Sequence, residues 1–568
     1  MDSMQRFEAV CSAMAEPEFY PHPVSAIERR DTHISSVFLT GKWVYKLKKP
    51  VDFGFLDFCD IDKRRRFCEI EVSLNKRLTA GIYHEVVVVY EDLDGRFFFK
   101  KDMSLKKTGS FNKTKSFNKT GRIAEYAVKM TQLPDAVNLY NLLKDDKVDI
   151  KKMKDLGQKL AGFYESSNQS PKIDHYGQKE VIGFNMEENF RQLEPFIKEF
   201  QELEKWEFIC HVGRSFLENR QNLFEDRLKT GRIRDGHGDL RTDHIYFYKG
   251  IQIIDCIEFN DRFRYGDVVS DLAFLHMDLE HLGYPDLSLA FLSAYVDCAD
   301  DPQLYSLLDF YAAYRAVVKL KTTCFRIQEV KDAGQKALKT EAGFYLNQAY
   351  RYTLQFSRPT LLVFCGMPAT GKSYLAQTLA KALSLTLFQS DYIRKHIHKE
   401  GLSHGNQKVE AFGKGLYRQQ MRHHVYSQML ALAQKTLKGG HSVILDATFS
   451  KRKWRDEAMR LSKDLDTNII FVECVCKPET IRKRLGQRDG MGNGLGEGQG
   501  DGSSNLSDAR LEHFPQISKD FEPLFELNSQ IHLTVDTELP LRDNFLYLLS
   551  KGYACKCAQV KNQIKKFV

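Results

Sequence analysis

Eight consecutive residues constrain the C-terminal half of this chain more tightly than anything else in it. Gly366-Met367-Pro368-Ala369-Thr370-Gly371-Lys372-Ser373 satisfies G-x-x-x-x-G-K-[ST] at every fixed position. The context fits as well. The strand-sized apolar run Leu361 to Cys365 precedes the loop, and SYLAQTLAKAL comes after it, with Leu375, Leu379 and Leu383 on one helical face. Strand, glycine-rich loop and helix in that order turn backbone N–H groups around phosphate oxygens at the positive end of a helix. In such a loop, Lys372 neutralises the terminal phosphates of a nucleoside triphosphate and Ser373 ligates Mg²⁺. Gly366 through Ser373 is therefore the expected cradle for ATP.

Two more strand-like runs end in acids. Leu385 to Phe388 leads into Gln389-Ser390-Asp391, and Ser442 to Leu445 leads into Asp446. The strand–helix alternation after residue 359 predicts a parallel α/β sheet, and strand C-terminal ends in such a sheet converge on the ligand crevice. Asp446 is expected to hold Mg²⁺. Asp391 is expected to take the proton of an acceptor hydroxyl; the competing reading is a cap for the helix YIRKHI. PETIRKRLGQR sets Arg484 and Arg488 at i, i+4, where they can close over transferring phosphates or form a solvated face. Gly490 to Gly502 has glycine at every second position and reads as a flexible loop, where a mobile lid would be placed.

The N-terminal half carries a second constellation. His237-Gly-Asp239-Leu-Arg-Thr-Asp-His244 precedes the strand IYFY, and a second strand, Gln252 to Ile254, ends at Asp255. Two acids flanking a β-hairpin can face one cleft. Asp239 is expected to receive an acceptor's proton, and Asp255 to hold Mg²⁺ on ATP phosphates.

Composition narrows the alternatives. The chain has 568 residues, 42% hydrophobic and 28% charged, with a mild net charge of +8. No apolar run reaches the ~18 residues that a membrane-spanning helix needs. The N-terminus carries acids early, unlike a standard signal peptide. Twelve cysteines are scattered without a C-x-x-C pair, as in a reduced, cytoplasmic protein. A membrane channel, a disulfide scaffold and a disordered tail protein are excluded. Segment patterns predict a domain over residues 1–354, with a β-rich small lobe at about 25–130 and a helical lobe at about 135–354. A boundary at QFSRP then opens the P-loop domain, 359–568. Lys106 to Thr120, which repeats SFNKT, reads as a solvated loop.

GMPATGKS, SDYIRK, SVILDATF and the arginine segment resemble the small P-loop kinases that include the zeta-toxin, chloramphenicol phosphotransferase and polynucleotide 5′-kinase families, over about residues 359–540. That resemblance implies Asp391 as base, arginines from a lid, and ATP-dependent phosphorylation of a small hydroxyl-bearing acceptor. HGDL, IIDCIEF and GDVVSDLAF resemble the aminoglycoside phosphotransferase family, itself similar to protein kinases, over about residues 25–330. It implies a bilobal α+β domain in which VYKLKKP supplies a phosphate-binding lysine, Lys46 or Lys48, with Lys46 preferred. Glu71 is the implied pairing acid, and Glu125 to Pro134 the linker where adenine docks. The family places Asn five residues after the catalytic Asp; this chain has His244, a poorer partner for Mg²⁺ than an amide oxygen. No G-x-G-x-x-G loop covers the phosphates. Together the halves resemble a bifunctional aminoglycoside phosphotransferase/ATP-binding protein. The expected activity is phosphoryl transfer from Mg-ATP at both sites, without a membrane partner. The alternatives are a regulatory ligand-binding N-terminal half and, less favoured, a kinase of nucleic-acid ends.

Overall fold

The computed structural model describes residues 2–99, 121–330, 333–401, 419–491 and 509–567. Lys106 to Thr120, and the glycine-alternating stretch from residue 492 onward, lie outside the described residues. Two compact units result: Met1–Asn185 with Arg220–Ala299, and Met186–Asn219 with Asp300–Val568.

The first unit is built on a six-stranded sheet in the order β1-β2-β3-β6-β4-β5. Its strands are β1 (Glu28–Asp31), β2 (Ser35–Leu39), β3 (Trp43–Lys48), β4 (Tyr83–Glu91), β5 (Phe97–Phe99) and β6 (Arg122–Thr131). All pair antiparallel. The two-residue period of β3 divides its side chains between the two faces of the sheet. Tyr45 and Leu47 enter the core against Phe7 and Val10 of the helix Ser3–Met14. Val44 faces the other way, against Cys68 and Val72 of the helix Ile61–Asn75. Lys46 and Lys48 share that second face. Each buried Leu, Val or Phe contributes about 1.5–3 kcal/mol. Asp60 caps the helix by accepting from the amides of Asp62 and Lys63, which fixes where its acidic residue Glu71 falls.

Beyond Thr131 the unit is largely helical. Helices Ile150–Ser166 and Pro285–Ala299 pack along each other, and the sequence-predicted core residues Met153, Leu156, Leu160 and Phe163 are buried. The short strands β7 (Ile233–Asp235), β8 (Ile245–Phe247), β9 (Ile251–Ile253) and β10 (Tyr265–Asp267) form two antiparallel pairs, β7 with β10 and β8 with β9. The expected linker Glu125 to Pro134 needs correction. Glu125 through Thr131 are strand, paired with β4 from Glu125 to Met130 and with β3 from Ala127 to Thr131, and the Glu125 carboxylate is buried against Arg64 at 2.8 Å. Alternating buried residues there serve the sheet.

The second unit holds a five-stranded parallel sheet in the order β12-β13-β11-β14-β15. The strands are β11 (Thr360–Cys365), β12 (Thr386–Gln389), β13 (Val443–Asp446), β14 (Asn468–Val475) and β15 (His532–Asp536). β11 and β13 are apolar nearly throughout because helices cover both faces of such a sheet. Central β11 feeds the glycine loop. The helices Leu304–Glu329 and Ala333–Ser357 pack on each other, and the second also packs on Leu203–Asn219 and Leu541–Phe567. Asp309, 2% exposed, accepts from Tyr553 Oη and Lys556 Nζ, each at 2.6 Å. The division expected at residues 354–359 is therefore not where the contacts fall. QFSRP ends a helix and starts a strand, but the helices before it already belong to the unit that holds the parallel sheet.

Candidate active sites

In the second unit the loop after β11 bends through three positive-φ residues: Gly366 (130°), Ala369 (64°) and Gly371 (88°). A Cβ on Gly366 would lie 2.4 Å from the Cys474 carbonyl oxygen of neighbouring β14, so only glycine fits. The helix Lys372–Leu383 begins directly behind the loop. The ammonium of Lys372 rests within the loop, 3.4 Å from the Met367 carbonyl, and Thr370 Oγ1 donates to that carbonyl at 2.8 Å.

A cleft of about 130 Å³ opens beside the loop, lined by Lys372, Ser373, Asp391, Asp446, Arg394 and Arg422 among others. Two acids from the ends of β12 and β13 thus meet the P-loop, as the sequence order requires. Asp446 is 3% exposed and accepts from Gln389 Nε2 at 3.0 Å. Its Oδ1 is buried with no hydrogen-bond partner among the described residues. Burial pushes its pKa up, against the opposing charge of Lys372. An orphaned carboxylate oxygen next to Ser373 fits a hard divalent cation, which prefers oxygen ligands. Asp391 stands in the first turn of the helix Ser390–Gly401, where its carboxylate pairs with Arg394.

Arg484 is placed differently from the expectation of a phosphate-closing arginine. From the helix Pro478–Met491 it donates to the Ala369 carbonyl at 3.2 Å and to the Thr537 carbonyl at 3.2 Å. Thr537 Oγ1 in turn donates to the Thr370 carbonyl at 2.5 Å. The pair braces the loop's backbone. Arg488 lies on the same helix, but its side chain is outside the described residues.

In the first unit, β3, the helix Ile61–Asn75, the loop before β8 and the loop after β9 bring their charges together. Glu71, fully buried, receives Lys46 at 3.0 Å on one oxygen and Lys48 at 2.7 Å on the other. Lys46 also reaches Asp255 Oδ1 at 2.5 Å. Lys48 also pairs with Glu258. Burial opposes the Asp255 charge, but Lys46 and then His244 outweigh it and hold the carboxyl well below its ordinary range. Burial likewise works against the Lys46 ammonium, yet Asp255 and Glu71 hold its pKa well above the ordinary value. Asp255 sits at φ 65°, a left-handed backbone that a non-glycine residue rarely adopts and that is common at functional sites.

Asp239 accepts from Arg241 Nε at 3.0 Å. Its backbone N–H donates to His237 Nδ1 at 3.2 Å, and the other ring nitrogen of His237 stands 2.9 Å from the Ile254 carbonyl. Burial pushes His237 down to about 4. Asp271 accepts from the amides of His237 at 2.7 Å and Gly238 at 2.9 Å. It braces the loop, while Asp267 caps the next helix at Val269 N. His244 lies between the acids, 3.8 Å from Asp239 Oδ2 and 3.7 Å from Asp255 Oδ2.

Four contributors went unread in the sequence. Glu258 stands in the quoted IIDCIEF, and an acid three residues after Asp255 was a usable signal. Thr537 directly succeeds β15, so the rule that strand ends converge applied to it. Tyr426 and Trp454, stacked at 4.8 Å in the wall of the cleft, come from helices whose approach no local pattern gives.

Residues 361–516 match the model of an AAA domain family. The Mycobacterium tuberculosis protein Rv2004c is 31% identical to this chain over 473 residues, spanning 83% of this chain and 88% of its own length, and the Mycobacterium bovis protein Mb2027c matches equally. Among solved structures, a choline/ethanolamine kinase family protein from Mesorhizobium loti is 11% identical with a TM-score of 0.34, covering 62% of this chain and 99% of that one. A gluconokinase from Sinorhizobium meliloti is 18% identical with a TM-score of 0.23, covering 37% and 97%. The chain belongs to the family of these mycobacterial proteins, and within it residues 361–516 match an AAA domain.

Proposed function

We propose that the protein is an ATP-dependent phosphotransferase acting on an alcohol group, with one site at the P-loop and a second, kinase-like site around Asp239 and Asp255. The convergence of Lys372, Ser373, Asp391 and Asp446 on one cleft carries the reading. At the P-loop, backbone amides and Lys372 hold the triphosphate. Asp391 takes the proton of the attacking hydroxyl, and Arg484 with Thr537 keeps the loop in its bent form. Ser373 and Asp446 would hold Mg²⁺, which supplies charge neutralisation across the phosphate oxygens when bound. In the N-terminal half, Lys46 is the phosphate-binding lysine positioned by Glu71. Asp239 is the base, and Asp255 and His244 are the metal-side residues. The acceptor is a small hydroxyl-bearing molecule.

A second reading for the N-terminal half is a nucleotide-binding regulatory module. Supporting it, the Asp239 carboxylate is already engaged by Arg241 and the Lys46 ammonium by Asp255.

The test uses the full chain, a small-molecule cell extract and γ-labelled ATP. Lys372→Ala is expected to lower label transfer at the P-loop by at least about a hundredfold, the scale on which transition-state charge stabilisation is lost. Adding Asp239→Asn is expected to remove the rest. Unchanged transfer in the double variant defeats the proposal. Complete loss in Lys372→Ala alone, with nucleotide still bound, establishes the regulatory reading.

A further inference from the structure

We propose that the acceptor at the P-loop site is an anion, a small alcohol that also carries a carboxylate or a phosphate, held by Arg422 and Lys451 beside the base Asp391. The inference rests on the reading of that cleft as a phosphotransferase site.

The acceptor wall of the cleft begins where β13 ends. Phe449 takes φ 42° there, a left-handed backbone that a bulky residue adopts only when its surroundings impose it. Its ring is buried in the core, while Thr448, Ser450 and Lys451 line the cleft. The bend is clamped on both sides. Phe449 N–H donates to Tyr426 Oη at 3.0 Å, and Arg455 Nη1 donates to the Phe449 carbonyl at 2.8 Å. Arg455 is fully buried and held in turn by Glu526. Glu522 N–H donates to the Ser450 carbonyl at 2.8 Å, and the Glu522 carboxylate accepts from Arg452 N–H at 2.7 Å. Residues held in such strain cluster at ligand clamps.

Charges gather around the same loop. Arg422 and Tyr426 are four residues apart on the helix Gln419–Lys438 and share a face. Tyr426 Oη lies 3.2 Å from Thr448 Oγ1. Burial raises the pKa of that phenol, Arg422 works against the rise and Asp391 adds to it, so both charges act on one oxygen. Asp391 pairs with Arg394. Lys451 pairs with Glu522 at 3.2 Å, but both side chains are half-exposed, and a pair so open to water is held weakly. Asp520 accepts from Gln516 at 3.2 Å.

Toward the acceptor, the described lining thus offers three cations, Arg394, Arg422 and Lys451, against two acids, Asp391 and Asp520. A molecule that fills the cleft strips water from these groups. A carboxylate or phosphate replaces that water with charge-assisted hydrogen bonds, bidentate at a guanidinium, and a neutral alcohol does not. In the transfer, the acceptor oxygen bonds to the γ-phosphorus as the bond to the bridging oxygen of the β-phosphate breaks. ADP leaves, and the hydroxyl proton passes to Asp391. The anionic group stays unchanged and sets the hydroxyl against the base.

The experiment uses the full chain carrying Asp239→Asn, which removes the N-terminal base, with γ-labelled ATP. Small molecules of a cell extract are first passed over a strong anion exchanger, and the unretained and salt-eluted pools are assayed separately as acceptors. Most of the transferred label is expected with the eluted pool. Phosphatase treatment of that pool, with the phosphatase removed before assay, abolishes acceptance if the group is a phosphate and preserves it if it is a carboxylate. Arg422→Ala is expected to raise the apparent KM for the eluted pool by about 10- to 100-fold, the equivalent of a lost hydrogen bond to a charged group. Lys451→Ala should raise it in the same direction. Affinity for an ATP analogue should stay unchanged in both, which also shows that the variants are folded. Transfer confined to the unretained pool, or an unchanged KM in both variants, overturns the inference and leaves the phosphotransferase reading standing. Absence of transfer to either pool overturns that reading itself.

Discussion

Arg484 donates to the carbonyl of Ala369 at 3.2 Å, a contact made across 115 residues of sequence. Ala369 holds a left-handed backbone, so the arginine stabilises a bend that the loop would not keep by itself. Arg484→Ala is expected to weaken nucleotide binding at the P-loop by about 10- to 100-fold, the equivalent of losing a hydrogen bond to a charged group. Arg484→Lys should recover little, because one ammonium cannot span the carbonyls of both Ala369 and Thr537. Calorimetric titration with an ATP analogue measures both, and equal affinity in all three proteins would show that the loop keeps its bend without Arg484.

Gly366→Ala meets two obstacles at once: a φ of 130° and a backbone oxygen 2.4 Å from the new carbon. Strain alone should cost about 1–3 kcal/mol. The rise in melting temperature on adding Mg-ATP, a direct measure of binding, should shrink sharply. Gly95→Ala is the control, since φ there is 77° but nothing lies within 4 Å. Its nucleotide-dependent rise should match that of the unaltered chain.

Glu71→Gln takes an anion from two lysines, one of them wholly buried. Removing one partner of a buried ion pair is strongly destabilising, about 3–5 kcal/mol. Lys48 keeps Glu258, so the lower end is expected. Denaturant unfolding followed by fluorescence gives the value, and a change below about 1 kcal/mol would show that Glu258 alone satisfies Lys48.

His237 provides a pH signature. Its folded pKa is about 4, against about 6.5 for an unperturbed histidine. Between those values the unfolded chain binds a proton that the folded chain refuses, so stability rises with pH through this window and falls as pH drops from 6.5 toward 4. The full effect is roughly 3 kcal/mol. His237→Asn should be less stable at pH 7 yet lose this part of the slope. Unfolding midpoints at half-unit pH steps would reveal it, and parallel curves for both proteins would exclude the histidine as its source.

Local chemistry was the readable part of this molecule. The P-loop, the acids at the ends of β12 and β13, and the shared face of Lys46 and Lys48 all come from short-range order: a glycine pattern, a strand end, a period of two. Contacts made by distant segments were less visible. Arg484 sits on the expected helix, but its target was set by how that helix docks beside β15. Glu125 to Thr131 looked like a connector because a strand with mixed residues has no signature distinguishing it from extended linker. The helices between 300 and 357 carry ordinary amphipathic patterns, which say that a face is buried and not which partner buries it.

The tie between Asp309 and the final helix bears on how this protein can be dissected. A fragment cut at residue 359 would retain Tyr553 and Lys556 but discard the carboxylate that both address, along with the apolar flank of Ala333–Ser357. The complementary N-terminal piece would carry that same acid, shut away in the whole protein and stripped of both its donors. Excision at the obvious proline therefore damages each half, and studying either chemistry alone calls for silencing point changes in an intact polypeptide.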